Sequence, residues 1–353
     1  MKMELLNSNY PPIRCVGKSF SDAFYSLLPG TSVLDIAVGY ITADSLAELQ
    51  RIVELNDIKC MNLTIGMHYF DQFSHAQYNT ALHLNDYLMQ NRRGEVRLVT
   101  PFRYHGKLYS YSNEKGAFAS IIGSDNLSSL IKRSPRMYET SLLIRNCSFS
   151  QKIKSFIDEL VSKATQNIAD SNLKITFSDD ENPLLTELEN VSRVPSADLA
   201  KYQTLLTKTQ FEIPVKCEKQ SNVNAYFGKG RKSKNGIVKP RHWYEVELIV
   251  PKKIAAHPEY PHSQTPEAEF DVITDDGWTF KCKVSGDYNK NFRSEGDLTI
   301  LGKWLKGRLE NAGVLKIGTP VTEQTLRDYG RSSFSLIKTS KPNTWYLDFG
   351  VKK

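Results

Sequence analysis

The chain has 353 residues and a formal net charge of +7, from 46 Lys and Arg against 39 Asp and Glu. That length exceeds the ~100 to 200 residues of an ordinary single domain, so two domains are expected. A composition of 40% hydrophobic and 24% charged residues argues against a disordered chain, and no stretch reads as a membrane span or signal peptide, so a cytoplasmic protein without a membrane partner is expected.

The five cysteines (Cys15, Cys60, Cys147, Cys217 and Cys282) are odd in number, widely spread and without a C-x-x-C pair. That argues against a disulfide framework and a zinc knuckle, and predicts reduced thiols. The positive charge suits a polyanion.

In chain order, β-rich runs alternate with amphipathic ones. SVLDIAVGYI is followed by ADSLAELQRIVELN, MNLTIGM, HAQYNTALHLNDYLMQN and EVRLVT, a pattern that predicts an α/β domain. Thr42 or Asp44 can cap the first of these helices, and Gly94 follows the second at a natural stop. Three strand-like runs come next, RYHGKLYSY, GAFASIIGS and MYETSLLIR, and then a helix over SFSQKIKSFIDELVSKATQNI closes the first domain. A polar, turn-rich stretch follows. The expected organisation is a first domain over 1–172, a linker region over 173–195 and a second domain over 196–353. The second half carries short strand-like runs (WYEVELIV, AEFDVITDD, WTFKCKVSG and TWYLDFGV) and one short helix at LGKWLKGRLENAG, which predicts a mainly β domain, a small open barrel.

His105 and Lys107 lie two residues apart in H-G-K. Within a strand that spacing turns imidazole and ammonium to one face, where both can meet one phosphate. The next β run ends in Gly-Ser-Asp-Asn, where Ser124 and Asn126 offer neutral hydrogen-bonding groups, and Glu139 precedes the following strand with a carboxylate able to hold a histidine tautomer. His68, His75, His83, His257 and His262 lack metal-ligand spacing, so they are assigned structural or surface roles and no metal or cofactor is expected.

The series H-x-K, G-S-x-N and then a carboxylate resembles the single-motif branch of the phospholipase D superfamily. The resemblance implies an α/β domain of phospholipase D type, a mixed sheet flanked by helices. His105 would be the nucleophile, forming a phosphohistidine, and Lys107, Asn126 and Ser124 would hold the non-bridging oxygens without a metal. Superfamily members assemble two motifs around one active site, so a chain with one motif implies a homodimer through the first domain. The common Asp after the lysine is missing, and Glu139 is its candidate replacement.

The second half resembles plant-type B3 DNA-binding domains, mainly over DDGWTFKCKVSGDYNKNFRSEGDLTILGKWLKGRLENAG and also over VELIVPKKIAAHPEYP. A B3-like pseudobarrel grips the major groove with two arms. The first arm would use the basic segment with Lys229, Arg231, Lys232, Lys234 and Arg241, together with His242 and Trp243. Between Lys229 and Arg241 stand six basic residues and no acidic one. The second arm would use Asp287, Tyr288, Asn289, Lys290 and Asn291 with Arg293, side-chain types that suit base edges.

The two halves together resemble restriction endonucleases of the BfiI and NgoFVII kind. This implies a metal-independent type IIS-like enzyme on double-stranded DNA, paired with a cognate DNA methyltransferase, and in some members with a helicase-like ATPase. The rival readings are a phosphodiesterase of the same superfamily acting on lipid or non-specific nucleic acid, and a DNA-binding regulator with a non-catalytic dimerisation domain.

Overall fold

The computed structural model describes residues 2–10, 12–13, 17–131, 137–178, 184–185, 188, 190–234, 236–263 and 268–351. Its contacts divide the chain into two compact units: Met1–Asn182 with Lys229–Pro240, and Pro183–Gly228 with Arg241–Lys353.

The first unit runs β1 (Lys2–Asn7), α1 (Phe20–Leu27), β2 (Val33–Val38), α2 (Ala43–Leu55), β3 (Cys60–Ile65), α3 (His68–Asp71), α4 (His75–Gln90), β4 (Val96–Val99), β5 (Leu108–Asn113), β6 (Gly116–Gly123), β7 (Thr140–Arg145), α5 (Cys147–Ala164) and β8 (Thr165–Asn167). These strands form one mixed sheet in the order β1-β7-β6-β5-β2-β3-β4-β8. Among the described strands of this sheet, only β2–β3 and β3–β4 pair in parallel. β2 and β3 read as nearly continuous apolar runs because both faces of the sheet are covered. Leu34, Ile36 and Val38 join the core that α1, α2 and α4 cover, while Ala37 joins Ile153, Ile157 and Leu160 of α5, as the two-residue alternation of a strand requires.

The helix starts follow local capping chemistry. Thr42 caps α2 in a reciprocal pair with Ser45, and Ser74 caps α4 in the same way with Gln77. The last helix is shorter than the sequence suggests: α5 stops at Ala164, and Thr165–Asn167 pairs with β4 as an edge strand. Leu173, Ile175 and Phe177, from the polar stretch that follows, pack against the first unit's main core.

The second unit begins with β9 (Ser192–Arg193), α6 (Ser196–Thr204) and β10 (Leu206–Pro214). A short ribbon, β11 (Arg231–Lys232) with β12 (Val238–Lys239), then groups with the first unit. The second unit resumes with β13 (Leu248–Ile249), α7 (Lys252–Ala255), β14 (Glu269–Thr274), β15 (Trp278–Ser285), β16 (Asn291–Ser294), α8 (Thr299–Asn311), α9 (Glu323–Tyr329), β17 (Ser333–Thr339) and β18 (Thr344–Asp348). Its sheet follows β10-β17-β18-β14-β15-β16-β13, with β9 paired to β15. The sheet curls into a half-barrel. Its buried aromatics include Phe270, which meets Phe292 and Trp345, and Phe334, which meets Phe292.

Helix α8 explains the G-x-W of the sequence. A Cβ on Gly302 would stand 1.8 Å from the carbonyl oxygen of Tyr244, so only glycine lets the helix approach that backbone. Two residues on, the Trp304 indole N–H donates to Asp276 at 2.9 Å. Arg308 forks onto both oxygens of Asp275 at 2.5 and 2.9 Å, the bidentate geometry that orients as well as binds.

Lys306 of α8 is fully buried, donates to the Trp243 carbonyl at 2.6 Å and lies 3.9 Å from the Trp243 ring centre. Burial lowers its pKa to about 7, against the pull of Glu310. The folded-state value is therefore below the unfolded one, and between about pH 7 and the ordinary lysine range the unfolded chain binds more protons. This group makes stability rise with pH in that window, by up to ~1.4 kcal/mol per unit. Thermal unfolding should show wild type gaining on Lys306→Met between pH 7 and 9. A gap independent of pH would refute the neutral buried amine.

Candidate active site and DNA-binding surfaces

The sheet order brings the motif residues to one end. β5 runs antiparallel to β2 with Ala37 opposite Leu108, so the start of β5 lies at the carboxyl end of β2. Leu108 also faces Ile122 of β6, and Gly123 faces Ser141 of β7. The segment before β5, the turn after β6 and the approach to β7 therefore share that end, carrying His105 and Lys107, then Ser124 and Asn126, then Glu139.

His105 and Lys107 do not sit inside a strand, as their pattern suggested; β5 begins at Leu108. The preceding residues cross over the strand ends instead. Tyr104 N–H donates to the Gly66 carbonyl at 3.1 Å, just past β3. A Cβ on Gly66 would stand 2.0 Å from the Tyr104 carbonyl oxygen, so the crossing depends on glycine there. Lys107 instead turns toward His105 through its backbone: Nζ curls back to donate to the His105 carbonyl at 2.7 Å. That leaves two of its three N–H donors for a ligand.

His105 is exposed, while Lys107 is 5% exposed. Burial pulls the Lys107 pKa below the ordinary lysine range, and the Glu139 carboxylate opposes this. Glu139 is thus electrostatically coupled to the lysine, and its backbone N–H is held by the Ser8 hydroxyl at 2.9 Å. Asn126 Oδ1 accepts the Tyr40 backbone N–H at 3.1 Å, which leaves its NH2 group to donate.

Ser124 is bound up in the scaffold. Its hydroxyl donates to the Thr140 carbonyl at 3.2 Å and accepts the Thr140 N–H at 3.0 Å, tying the turn to the start of β7. The two strands meet closely there, because a Cβ on Gly123 would stand 2.4 Å from the Ser141 Cα.

Four neighbouring residues were not singled out by the motif. Asp125 is buried, accepts the Ser141 hydroxyl at 2.6 Å and has its carboxyl pKa raised by burial, with hydrogen bonds from Ser141 and Ser129 opposing. Tyr40, past the end of β2, donates its hydroxyl to Asp71 at 2.6 Å, and Arg103 donates to the other oxygen of that carboxylate at 3.1 Å. The Tyr40 ring stands edge-on to two imidazoles, 5.7 Å from His105 and 5.3 Å from His68. No sequence motif marks these residues, and their positions mean little before the strand order is known.

His68 has the structural role expected of it. Its Nε2 accepts the Ile41 N–H at 3.2 Å and its Nδ1–H donates to the Gln72 carbonyl at 3.0 Å, while burial lowers its pKa and keeps it neutral. His75 stacks on Phe177, with ring centres 4.1 Å apart. Cys60, Cys147, Cys217 and Cys282 are free thiols; Cys15 lies outside the described residues.

The residues assigned to the first arm fall in two settings. Lys229, Arg231, Lys232 and Lys234 are exposed on and beside the β11–β12 ribbon. That ribbon is fastened within the first unit: Asn56 Nδ2 donates to the Val238 carbonyl at 3.0 Å, and Lys239 pairs with Asp22 at 3.1 Å. Arg241 and His242 are half-buried, with Arg241 2.9 Å from the buried carboxylate of Glu245. Trp243 is fully buried and donates its indole N–H to Glu310 at 2.8 Å. It has no surface to present to a groove; its tryptophan character serves the packing around α8.

The second arm is the tip of the β15–β16 hairpin. Gly286, Tyr288 and Asn289 all have left-handed φ, at 75°, 59° and 58°, so the tip turns sharply. Asp287, Tyr288 and Lys290 are exposed, and Asn291 and Arg293 are half-buried. Both ends of the Asn289 amide are engaged, by the Ser263 N–H at 2.7 Å and by His262 Nδ1 at 2.8 Å. Among the described residues no helix is long and apolar enough to cross a membrane.

Some solved structures resemble part of the chain. Nuc from Salmonella typhimurium, a phospholipase D family member, is 12% identical over 47% of this chain and 97% of its own, with a TM-score of 0.33. NucT from Helicobacter pylori is 16% identical over 46% of this chain and 98% of its own, at 0.32. Phosphatidylserine synthase from Haemophilus influenzae Rd KW20 is 15% identical over 47% and 39%, at 0.34. At such scores these likenesses carry no weight of their own. No curated protein matches the chain. The family models are decisive: residues 18–172 match the NgoFVII restriction endonuclease N-terminal PLD domain, and residues 201–340 match the NgoFVII C-terminal B3-like DNA-binding domain. With both domains present in order, the chain belongs to the NgoFVII family and is a type II restriction endonuclease of the phospholipase D superfamily with a B3-like DNA-binding domain.

Proposed function

We propose that the enzyme cuts double-stranded DNA site-specifically and without a metal, in the type IIS manner, through a phosphohistidine at a site shared by two subunits. The observation that carries this reading is the meeting of His105, Lys107 and Asn126 at one sheet end. Lys107 Nζ bonds the His105 backbone, and Tyr40 touches both the His105 ring and the Asn126 amide.

In the first step an imidazole nitrogen of His105 forms an N–P bond as the bond from phosphorus to the leaving sugar oxygen breaks. The partner subunit's His105 gives that oxygen its proton. Water then attacks phosphorus, the N–P bond breaks, and a proton from the water returns to the partner's His105. Lys107 and the Asn126 NH2 group would hold the non-bridging oxygens as charge grows on them, the term that usually contributes most to phosphoryl transfer. Glu139 would keep Lys107 charged, because its carboxylate opposes the effect of burial. Ser124 acts here chiefly by fixing the turn that presents Asn126.

In this reading residues 1–172 are the nuclease and dimerisation domain, 173–195 connect, and 196–353 read DNA. The exposed ribbon lysines and arginine would contact phosphates, and the hairpin tip with Arg293 would reach base edges. A cytoplasmic homodimer working beside a cognate methyltransferase fits this activity, with a helicase-like ATPase as a further candidate partner.

Cutting should proceed in EDTA, and His105→Ala should lower it by more than about 10³-fold while specific binding persists. Strict dependence on magnesium would contradict the mechanism. Ser124→Ala should reduce the single-turnover rate by less than about tenfold, the scale of one neutral hydrogen bond; a loss as large as that of Lys107→Met would make its hydroxyl a direct phosphate ligand. For recognition, Lys232→Ala should weaken all sequences equally and flatten the plot of log K against log salt by about 0.9. Arg293→Ala should instead erode discrimination between sites, and a uniform loss on every sequence would remove it from base reading.

A further inference from the structure

The site contains an aromatic residue that the motif does not supply. Tyr40 follows the carboxyl end of β2 and makes contacts through its backbone, its ring and its hydroxyl. Its backbone N–H binds Asn126 Oδ1 at 3.1 Å, its ring stands 5.7 Å from the His105 ring at 77°, and its hydroxyl donates to Asp71 at 2.6 Å. Asp71 is in turn held by Arg103, whose guanidinium lies 5.2 Å from the Phe70 ring centre. On its other side the Tyr40 ring abuts His68, which is itself fixed by hydrogen bonds at both nitrogens and stacked on Phe73 at 4.7 Å.

We infer that Tyr40 is a positioning residue for the cleavage reaction, holding the His105 imidazole in attacking orientation with its ring and turning the Asn126 NH2 group outward with its backbone. His105 is exposed, and an exposed imidazole would otherwise rotate among rotamers at little cost. An edge-on aromatic contact favours one ring plane. The ring can serve as a stop only if it is itself immobile, and its two ends are anchored independently, by Asp71 at the hydroxyl and by the strand end at the backbone.

This inference rests on His105 being the nucleophile, and the test separates the two. Single-turnover cutting, DNA affinity and the NMR signals of the His105 ring, assigned by their loss in His105→Ala, are compared for the full-length protein and for Tyr40→Leu and Tyr40→Phe. Leucine keeps bulk and the backbone N–H but removes the ring, so the substitution avoids leaving a cavity. Expected for Tyr40→Leu are a rate about 10 to 100 times lower, as for slight misplacement of a reacting group, unchanged affinity, and displaced His105 ring signals. Tyr40→Phe, which restores the ring, should recover the signals and most of the rate. A Tyr40→Leu protein that cuts at the wild-type rate with unmoved His105 signals, while His105→Ala is inactive, overturns the inference alone. Cutting that survives His105→Ala overturns the nucleophile assignment and the inference with it.

Discussion

The site depends on the backbone crossing at the carboxyl ends of β2 and β3. Tyr104 is bonded to the Gly66 backbone at a separation no side chain could share, and three residues later Lys107 leads into β5. Between these fixed points His105 has little backbone freedom. A central strand that runs antiparallel to its neighbour β2 then lets the ends of β6 and β7 return to the same place. His105 and Lys107, Asn126 and Glu139 are thereby brought to one sheet end from three separate chain segments, and a buried sheet covered on both faces holds the register.

Much of the fold was legible in the sequence. The alternation of apolar runs with amphipathic helices pointed to the class of the first domain, and Thr42, a cap candidate in the sequence, does start α2. His105, Lys107 and Asn126 were singled out because their spacing is a pattern in one dimension. Tyr40, Asp71, Arg103 and Asp125 were not, because what joins them to the site is the strand order, and no periodicity encodes which strand lies beside which. The expectation that His105 and Lys107 share a strand face failed for a local reason: the crossing segment is bonded to Gly66 before it can enter β5. Lys107 nevertheless returns to His105 by curling onto its carbonyl.

In the second half the composition of a segment proved a weaker guide than its environment. Trp243 stands beside a run of basic residues, yet it is fully buried, where it supports Lys306 and Glu310. The ribbon lysines and Arg231 are exposed as their charge suggests, but the ribbon is held through Asn56 and Asp22 of the first unit. Chain order alone would have left it with the second. The hairpin tip, by contrast, is what its glycine and polar residues imply: a sharp turn with Asp287, Tyr288 and Lys290 exposed.

A two-step transfer through His105 would be recorded in the stereochemical course at phosphorus. Each in-line displacement inverts phosphorus, so attack by His105 followed by attack by water restores the original configuration. Cleavage of DNA carrying a phosphorothioate of one configuration at the cut position, in isotopically labelled water, should give product with net retention. Net inversion would mean that water attacks the DNA directly and that no phosphohistidine forms.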